Sequence, residues 1–341
     1  MSWASDVKRN KSAWRLTIAS LVLLTIFCAP VQAEKLSDDQ IAKLDSYIAN
    51  TMKLGHIPGL ALAVVKNDDV ALVKGYGVRR VGSNLKVDGQ TIFAIGSNTK
   101  SFTSLALAKL VDEGKINWDT KIRDCLSEVS FADPYLASEL TLRDLLCHRT
   151  GLPVKDLMWY GAPAGRSQLM HRMRYLEAVH GFRSHYEYNN LMYVVAGEAL
   201  ASVSGKSWET FVKDEIFSAL AMNRSSTSIR DLSSDTNVAA PHTFENGKNV
   251  EIKYRNIDNV APAGAINSCA QDMAQWLRLQ LGEGSYNGKQ LISKDSHFCF
   301  DTFLGQWHEH PPHKARVQFM LTARGEVEGL RIGGEEFVRQ K

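Results

Sequence analysis

Apolar residues recur along this chain with two different spacings, and the switches between them outline its elements. From Leu36 to Leu54 the spacing is that of a helix with one buried stripe, and His56-Ile57-Pro58-Gly59 ends it. LALAVVKN and VALVKGYGV follow, two β-rich runs separated by Asn67-Asp68-Asp69, which predicts a hairpin over residues 60–78. Phe102, Leu105, Ala106 and Leu110 restore the helical period until Gly114 stops it. From about 116 to 285 helices and loops alternate, with helices predicted in LTLRDLLCHRTGLP, NLMYVVAGEALASVSG, SWETFVKDEIFSAL and CAQDMAQWLRLQLG. No tandem repeat is visible. Over the final forty or so residues HFCFDTF, VQFMLTARG and EVEGLRI read as strands.

Composition narrows the class without naming a function. A chain of 341 residues with 44% hydrophobic and 23% charged positions can bury a core and fill one large or two medium domains. The net charge is only +3 and the basic residues are spread out, which gives no reason to expect nucleic acid as a partner. Lys8, Arg9, Lys11 and Arg15 precede the apolar run LTIASLVLLTIFCAP, and Val31-Gln32-Ala33 supplies small residues at a cleavage-like site. Residues 1–33 therefore read as a signal peptide, and the mature chain is expected to be secreted or periplasmic. An uncleaved anchor is the lesser alternative, because the run is short for a membrane span and ends in Pro30. The bulky Phe27 argues against lipidation of Cys28. Cys125, Cys147, Cys269 and Cys299 are scattered without paired spacing and read as apolar fillers, so no obligatory disulfide is expected.

The chemistry concentrates in Ala94-Ile95-Gly96-Ser97-Asn98-Thr99-Lys100. At a helix start, residues three apart share a face, which brings the Lys100 amine toward the Ser97 hydroxyl. Serine needs a partner to take its proton, and a desolvated lysine can serve. The plainer alternative is an N-capping Ser97 beside a solvated Lys100. A second polar cluster, Tyr188-Asn189-Asn190, again stands just before an apolar helix. A tyrosine near a lysine ammonium loses its proton more readily, and an asparagine amide can donate to a substrate carbonyl. Taken alone, Tyr188 reads as a core aromatic capping a helix ahead of any catalytic role.

Several longer segments carry a resemblance. HIPGLALAVV, KGYGV, FAIGSNTKSFTSLALAKLVDEGKINWD, LTLRDLLCHRTGLP, HYEYNNLMYVVAGEAL and APAGAINSCAQDMAQWL run in order over residues 45–292. In this the sequence resembles the serine beta-lactamase-related hydrolases, the group of class C beta-lactamases, DD-peptidases and related esterases. The resemblance implies Ser97 as nucleophile, Lys100 as its proton partner, Tyr188 as a further base and Asn190 as a substrate-orienting group. It implies an α+β fold, an antiparallel sheet flanked by helices plus a helical domain, with the serine at the seam. A secreted serine hydrolase acting on an ester, amide, β-lactam or D-amino-acid peptide follows from it; the alternative is a non-catalytic relative that binds peptidoglycan-like or peptide ligands. No cofactor is implied, and the sequence is silent on oligomeric state.

One family feature is missing. A third motif, K-T-G or H-x-G, should follow the tyrosine box on a sheet strand that lines the opposite wall and supplies an oxyanion donor, yet the text runs from GKQLISKDSH directly into HFCFDTFLGQW. The resemblance implies a segment lost between about 292 and 300, an incomplete sheet in a domain spanning 34–295, and a remnant of a small β accessory domain over 296–341. His308, His310 and His313 invite a metal reading, but Pro311 and Pro312 break any helical pair and a solvated loop is preferred, so no metal site is expected. His148 and His242 are expected to be structural, with Asp272 a helix cap and Trp276 a core residue.

Overall fold

The apolar spacing of residues 99–112 and 190–204 produces two helices that pack against each other in the core. The computed structural model describes residues 35–297 and three further strands at 317–321, 327–332 and 335–338. Helix α1 (Asp38–Leu54) starts on a Ser37–Gln40 capping box and leads into strands β1 (Gly59–Lys66) and β2 (Asp69–Gly77). They pair antiparallel from Gly59↔Gly77 to Lys66↔Asp69, with Asn67 at φ 57° in the turn, so the predicted hairpin is present. Strand β3 (Phe93–Ala94) precedes α2 (Thr99–Asp112), and Gly114 sits at φ +68° just beyond it. Short helices α3 (Ile122–Cys125), α4 (Pro134–Glu139), α5 (Leu142–Leu146) and α6 (Arg166–Arg172) lead to α7 (Asn190–Ser204) and α8 (Trp208–Val212).

Beyond α8 the chain makes the hairpin β4 (His242–Glu245) and β5 (Lys248–Glu251), then α9 (Ala261–Gly264), β6 (Asn267–Ser268) and α10 (Ala270–Leu281). The small pair β7 (Ser285–Tyr286) and β8 (Lys289–Gln290) follows. Last come β9 (Val317–Leu321), β10 (Val327–Ile332) and β11 (Glu335–Val338), an antiparallel meander in the order β11-β10-β9. Val317–Leu321 in VQFMLTARG and Val327–Ile332 in EVEGLRI are thus strands. His297 of HFCFDTF is helical, while residues 298–303 and the histidines at 308, 310 and 313 lie outside the described residues.

Two long-range devices fix the core. Phe102 on α2 is wholly buried and stacks on Trp276 of α10, with ring centroids 3.8 Å apart. Trp208 donates from Nε1 to Thr103 Oγ1 at 2.9 Å, and Thr103 donates onward to the Pro262 carbonyl at 2.7 Å. A Cβ at Gly197 would come within 2.3 Å of the Pro262 ring, so α7 and α9 approach this closely only because residue 197 has no side chain.

The hairpin is different. Its residues are half-buried or exposed throughout. α10 lies against it, with Arg278 Nε donating to Asp68 Oδ1 at 3.0 Å, and Asp45 of α1 accepts from Lys74 at 2.7 Å and Tyr76 at 2.8 Å. Among the described residues no further strand pairs with either outer edge. Asp272 departs from its expected role. It does not cap α10, whose N-cap is Cys269; it is buried and accepts from the Arg224 N–H and Ser225 Oγ, each at 2.8 Å, which pins the segment after α8.

Candidate active site

Ser97 occupies a single 3-10 turn, Gly96–Asn98, that runs into α2. Gly96 at φ +53° allows the chain to leave β3 and enter the turn. β3 pairs with β6, the Ile95 N–H donates to the Ile266 carbonyl at 3.0 Å, and Thr99 Oγ1 accepts from the Ile266 N–H at 3.1 Å. These bonds hold the serine turn against the α9–β6 segment. Opposite it, Asn189 caps α7 by accepting from the Leu191 N–H, while its Nδ2 donates to the Pro153 carbonyl. The same cap therefore orients Tyr188 before it and Asn190 after it.

The three side chains converge. Tyr188 donates its phenolic proton to Ser97 Oγ at 2.6 Å, and Lys100 Nζ lies 3.2 Å from the same oxygen. Lys100 Nζ also donates to Asn190 Oδ1 and to the Ala263 carbonyl, each at 2.8 Å, and sits 4.7 Å from the Tyr188 ring centroid. Asn190 thus engages Lys100, while its Nδ2 donates to Asp156 Oδ1 at 3.1 Å. Ser97 makes no capping bond to the helix, and Lys100 is 5% exposed, so the plainer reading of both residues is set aside.

Burial disfavours the ammonium and brings Lys100 down from an ordinary 10.5 to about 7, with the Asp156 charge opposing the fall. Neutral Lys100 has two hydrogens, and the Asn190 and Ala263 oxygens accept both. Its lone pair is then left for Ser97. Tyr188 moves the other way: burial and the Asp156 charge raise its pKa despite the bond to Ser97, so the phenol keeps its proton. The expected drain of that proton by a lysine ammonium is outweighed by desolvation of both groups. The arrangement can take a proton from Ser97 onto an amine while a phenol donates to the same oxygen.

His148 backs the site. It is buried at φ 56°, accepts at Nδ1 from the Asn189 N–H at 3.1 Å and packs at a 39° tilt against the Tyr188 ring, with centroids 4.5 Å apart. Burial, with the nearby Lys100 charge, holds it neutral with a pKa near 3. His242 accepts from the Val81 N–H at 3.1 Å and packs away from this cluster. Cys125, Cys147 and Cys269 are free thiols, and burial raises the pKa of each. Among the described residues no group of three or more histidine, cysteine or acidic side chains could hold a metal. Sequence reasoning missed Asp156 and the Ala263 carbonyl. The first lies in a loop without periodic signal, and the second is a backbone atom that no residue type announces.

A serine, an amine and a phenol gathered where two helices begin define the class, and comparison with known proteins agrees with it. The chain matches the beta-lactamase family model over residues 44–298 and belongs to that family. It is 27% identical over 245 residues to unguisins hydrolase ungD of Aspergillus violaceofuscus (strain CBS 115571), covering 67% of this chain and 43% of that protein. It is 25% identical over 288 residues to protein flp of Staphylococcus aureus (strain MW2), covering 81% of this chain and 56% of flp. The chain spans about half the length of these curated relatives. Among solved structures, the octameric penicillin-binding protein homologue from Pyrococcus abyssi superposes with a TM-score of 0.65 at 27% identity, over 75% of this chain and 59% of that one. FmtA from Staphylococcus aureus gives 0.64 at 19% identity, over 76% and 69%, which is a likeness of fold.

Proposed function

We propose that this chain is an exported serine hydrolase that works through an acyl-enzyme on an ester, amide, β-lactam or D-amino-acid peptide. The observation that carries the reading is the Tyr188 OH to Ser97 Oγ to Lys100 Nζ relay, with one bond of 2.6 Å and one of 3.2 Å. Neutral Lys100 takes the Ser97 proton as Oγ adds to the substrate carbonyl. As the tetrahedral adduct collapses, the leaving oxygen or nitrogen takes a proton from Tyr188, and the Lys100 ammonium restores the phenol. Water then attacks the Ser97 ester, passing its proton to Lys100, which returns it to Ser97 Oγ as that C–O bond breaks and the acid is released. The N-terminus of α2 favours the negative charge that develops on oxygen. The name of the ungD relative, a hydrolase of unguisins, favours hydrolysis over binding.

The rate is expected to be low. Among the described residues no third-motif strand supplies an oxyanion donor, and the lack of one such donor costs about a hundred- to a thousandfold. The second reading is a non-catalytic relative that binds peptidoglycan-like or peptide ligands, and the same missing motif favours it. Export rests on residues 1–33, which lie outside the described structure. Among the described residues no helix is long and apolar enough to cross a membrane.

Intact-mass measurement after incubation with a fluorophosphonate or a penicillin separates the readings. The expected result is an adduct on Ser97 that Ser97→Ala abolishes, with turnover of a small ester falling by about ten-thousandfold in that variant. No adduct with any substrate class would leave the binding reading standing.

A further inference from the structure

Asp156 opens the 3-10 turn Asp156–Met158 beside the Lys100 pocket, and its carboxylate is exposed. Its Oδ1 accepts from Trp159 Nε1 at 2.8 Å and from Asn190 Nδ2 at 3.1 Å. The loop is tied down from the far side, where Asn259 Nδ2 donates to the Trp159 carbonyl at 2.9 Å. The other end of the Asn190 amide, Oδ1, accepts from Lys100 Nζ. An asparagine amide has two nearly equal shapes related by a flip. A carboxylate can only accept, so Asp156 admits the orientation with Nδ2 outward and obliges Oδ1 to face the lysine. The flipped amide would aim two donors at an amine that itself donates.

We propose that Asp156 is a positioning residue that fixes the Asn190 amide and through it directs Lys100 at Ser97, with its carboxylate acting on that amine. The groups that face Lys100 bear this out. Ser97 adjoins it on the serine turn, Tyr188 and Asn190 face it from the start of α7, and the Tyr193 ring lies 5.3 Å away within that helix. His148, behind α5, is neutral, and α9 offers the Ala263 carbonyl. The Asp156 charge acts on both Lys100 and Tyr188, raising both. Burial pulls the lysine down and Asp156 holds it up. Removing the anion therefore favours the neutral amine, and a reaction that needs that amine begins at lower pH.

The consequence for rate rests on the serine-hydrolase reading, whereas the titration of Lys100 does not. Protein carrying 13C-labelled lysine allows the Lys100 Cε resonance, assigned with Lys100→Arg, to be followed against pH. In Asp156→Asn, which still offers an oxygen to Trp159, the midpoint should fall by about half a pH unit, and in Asp156→Glu it should stay near wild type. The acid limb of fluorophosphonate labelling at Ser97 should move down with the midpoint in Asp156→Asn. Superimposable Lys100 titrations in wild type and Asp156→Asn would overturn the proposal. A moving midpoint with no Ser97 labelling in any variant would instead support the role of Asp156 and defeat the acyl-enzyme reading.

Discussion

The helices around Ser97 and the β1–β2 hairpin are built from similarly apolar sequence, yet they end up in different physical states. α2 buries nearly every residue from Thr99 to Leu110, polar ones included, because α7, α8, α9 and α10 close around it. LALAVV and VALV, no less hydrophobic, remain half-buried or, at Val70, exposed. Hydrophobicity alone does not decide burial; the presence of a covering layer does. For the hairpin, α10 supplies part of that layer, and among the described residues no further strand extends the sheet. All three groups of the proposed relay belong to the closed half. Among the described residues none belongs to a third motif that would supply the opposite wall.

This contrast can be tested by stability before any substrate is known. Phe102→Ala should destabilise the fold by about 4 kcal/mol in urea unfolding, since a fully enclosed ring that stacks on Trp276 leaves a cavity that rigid helices cannot collapse. Tyr188→Phe should leave stability nearly unchanged and slow Ser97 acylation by about a hundredfold, the loss of one proton donor in an otherwise intact site. Leu72→Ala in β2 should cost only about 1 kcal/mol, because a half-buried side chain surrenders less apolar contact. Equal costs for Phe102→Ala and Leu72→Ala would erase the distinction and mean that the hairpin is covered as fully as the helices.

Much of this was legible in the sequence, and the legible parts share a cause. Asn67 and Asp68 between two β runs fix a two-residue turn locally, and Tyr188-Asn189-Asn190 marks a helix start through the capping chemistry of Asn189, so neither needs tertiary information. Ser97 and Lys100 were legible once longer segments placed them in a family. LTLRDLLCHRTGLP was over-read, since only Leu142–Leu146 is helical: the Thr141–Asp144 capping box starts it, and His148 at φ 56° lies outside helical space. The β4–β5 hairpin was missed although Asn246-Gly247 announces it, and so was β11. Asp156 and the Ala263 carbonyl had no local signature because only the packing of α7 and α9 against α2 brings them to Lys100. The lowered lysine pKa is likewise a product of enclosure and has no counterpart in the S-x-x-K spacing.

The central claim is that a neutral, buried Lys100 is the base for Ser97. The rate of Ser97 acylation by a fluorophosphonate, measured against pH on the wild-type chain, tests it most directly. The rate should rise through a midpoint of about 7 and then hold level past pH 10.0, since the lysine titrates near the first value and the Tyr188 phenol is raised above the second. A rate that climbs only as pH approaches the ordinary lysine value of 10.5 would contradict it, because the amine would then be solvated and charged wherever the protein works.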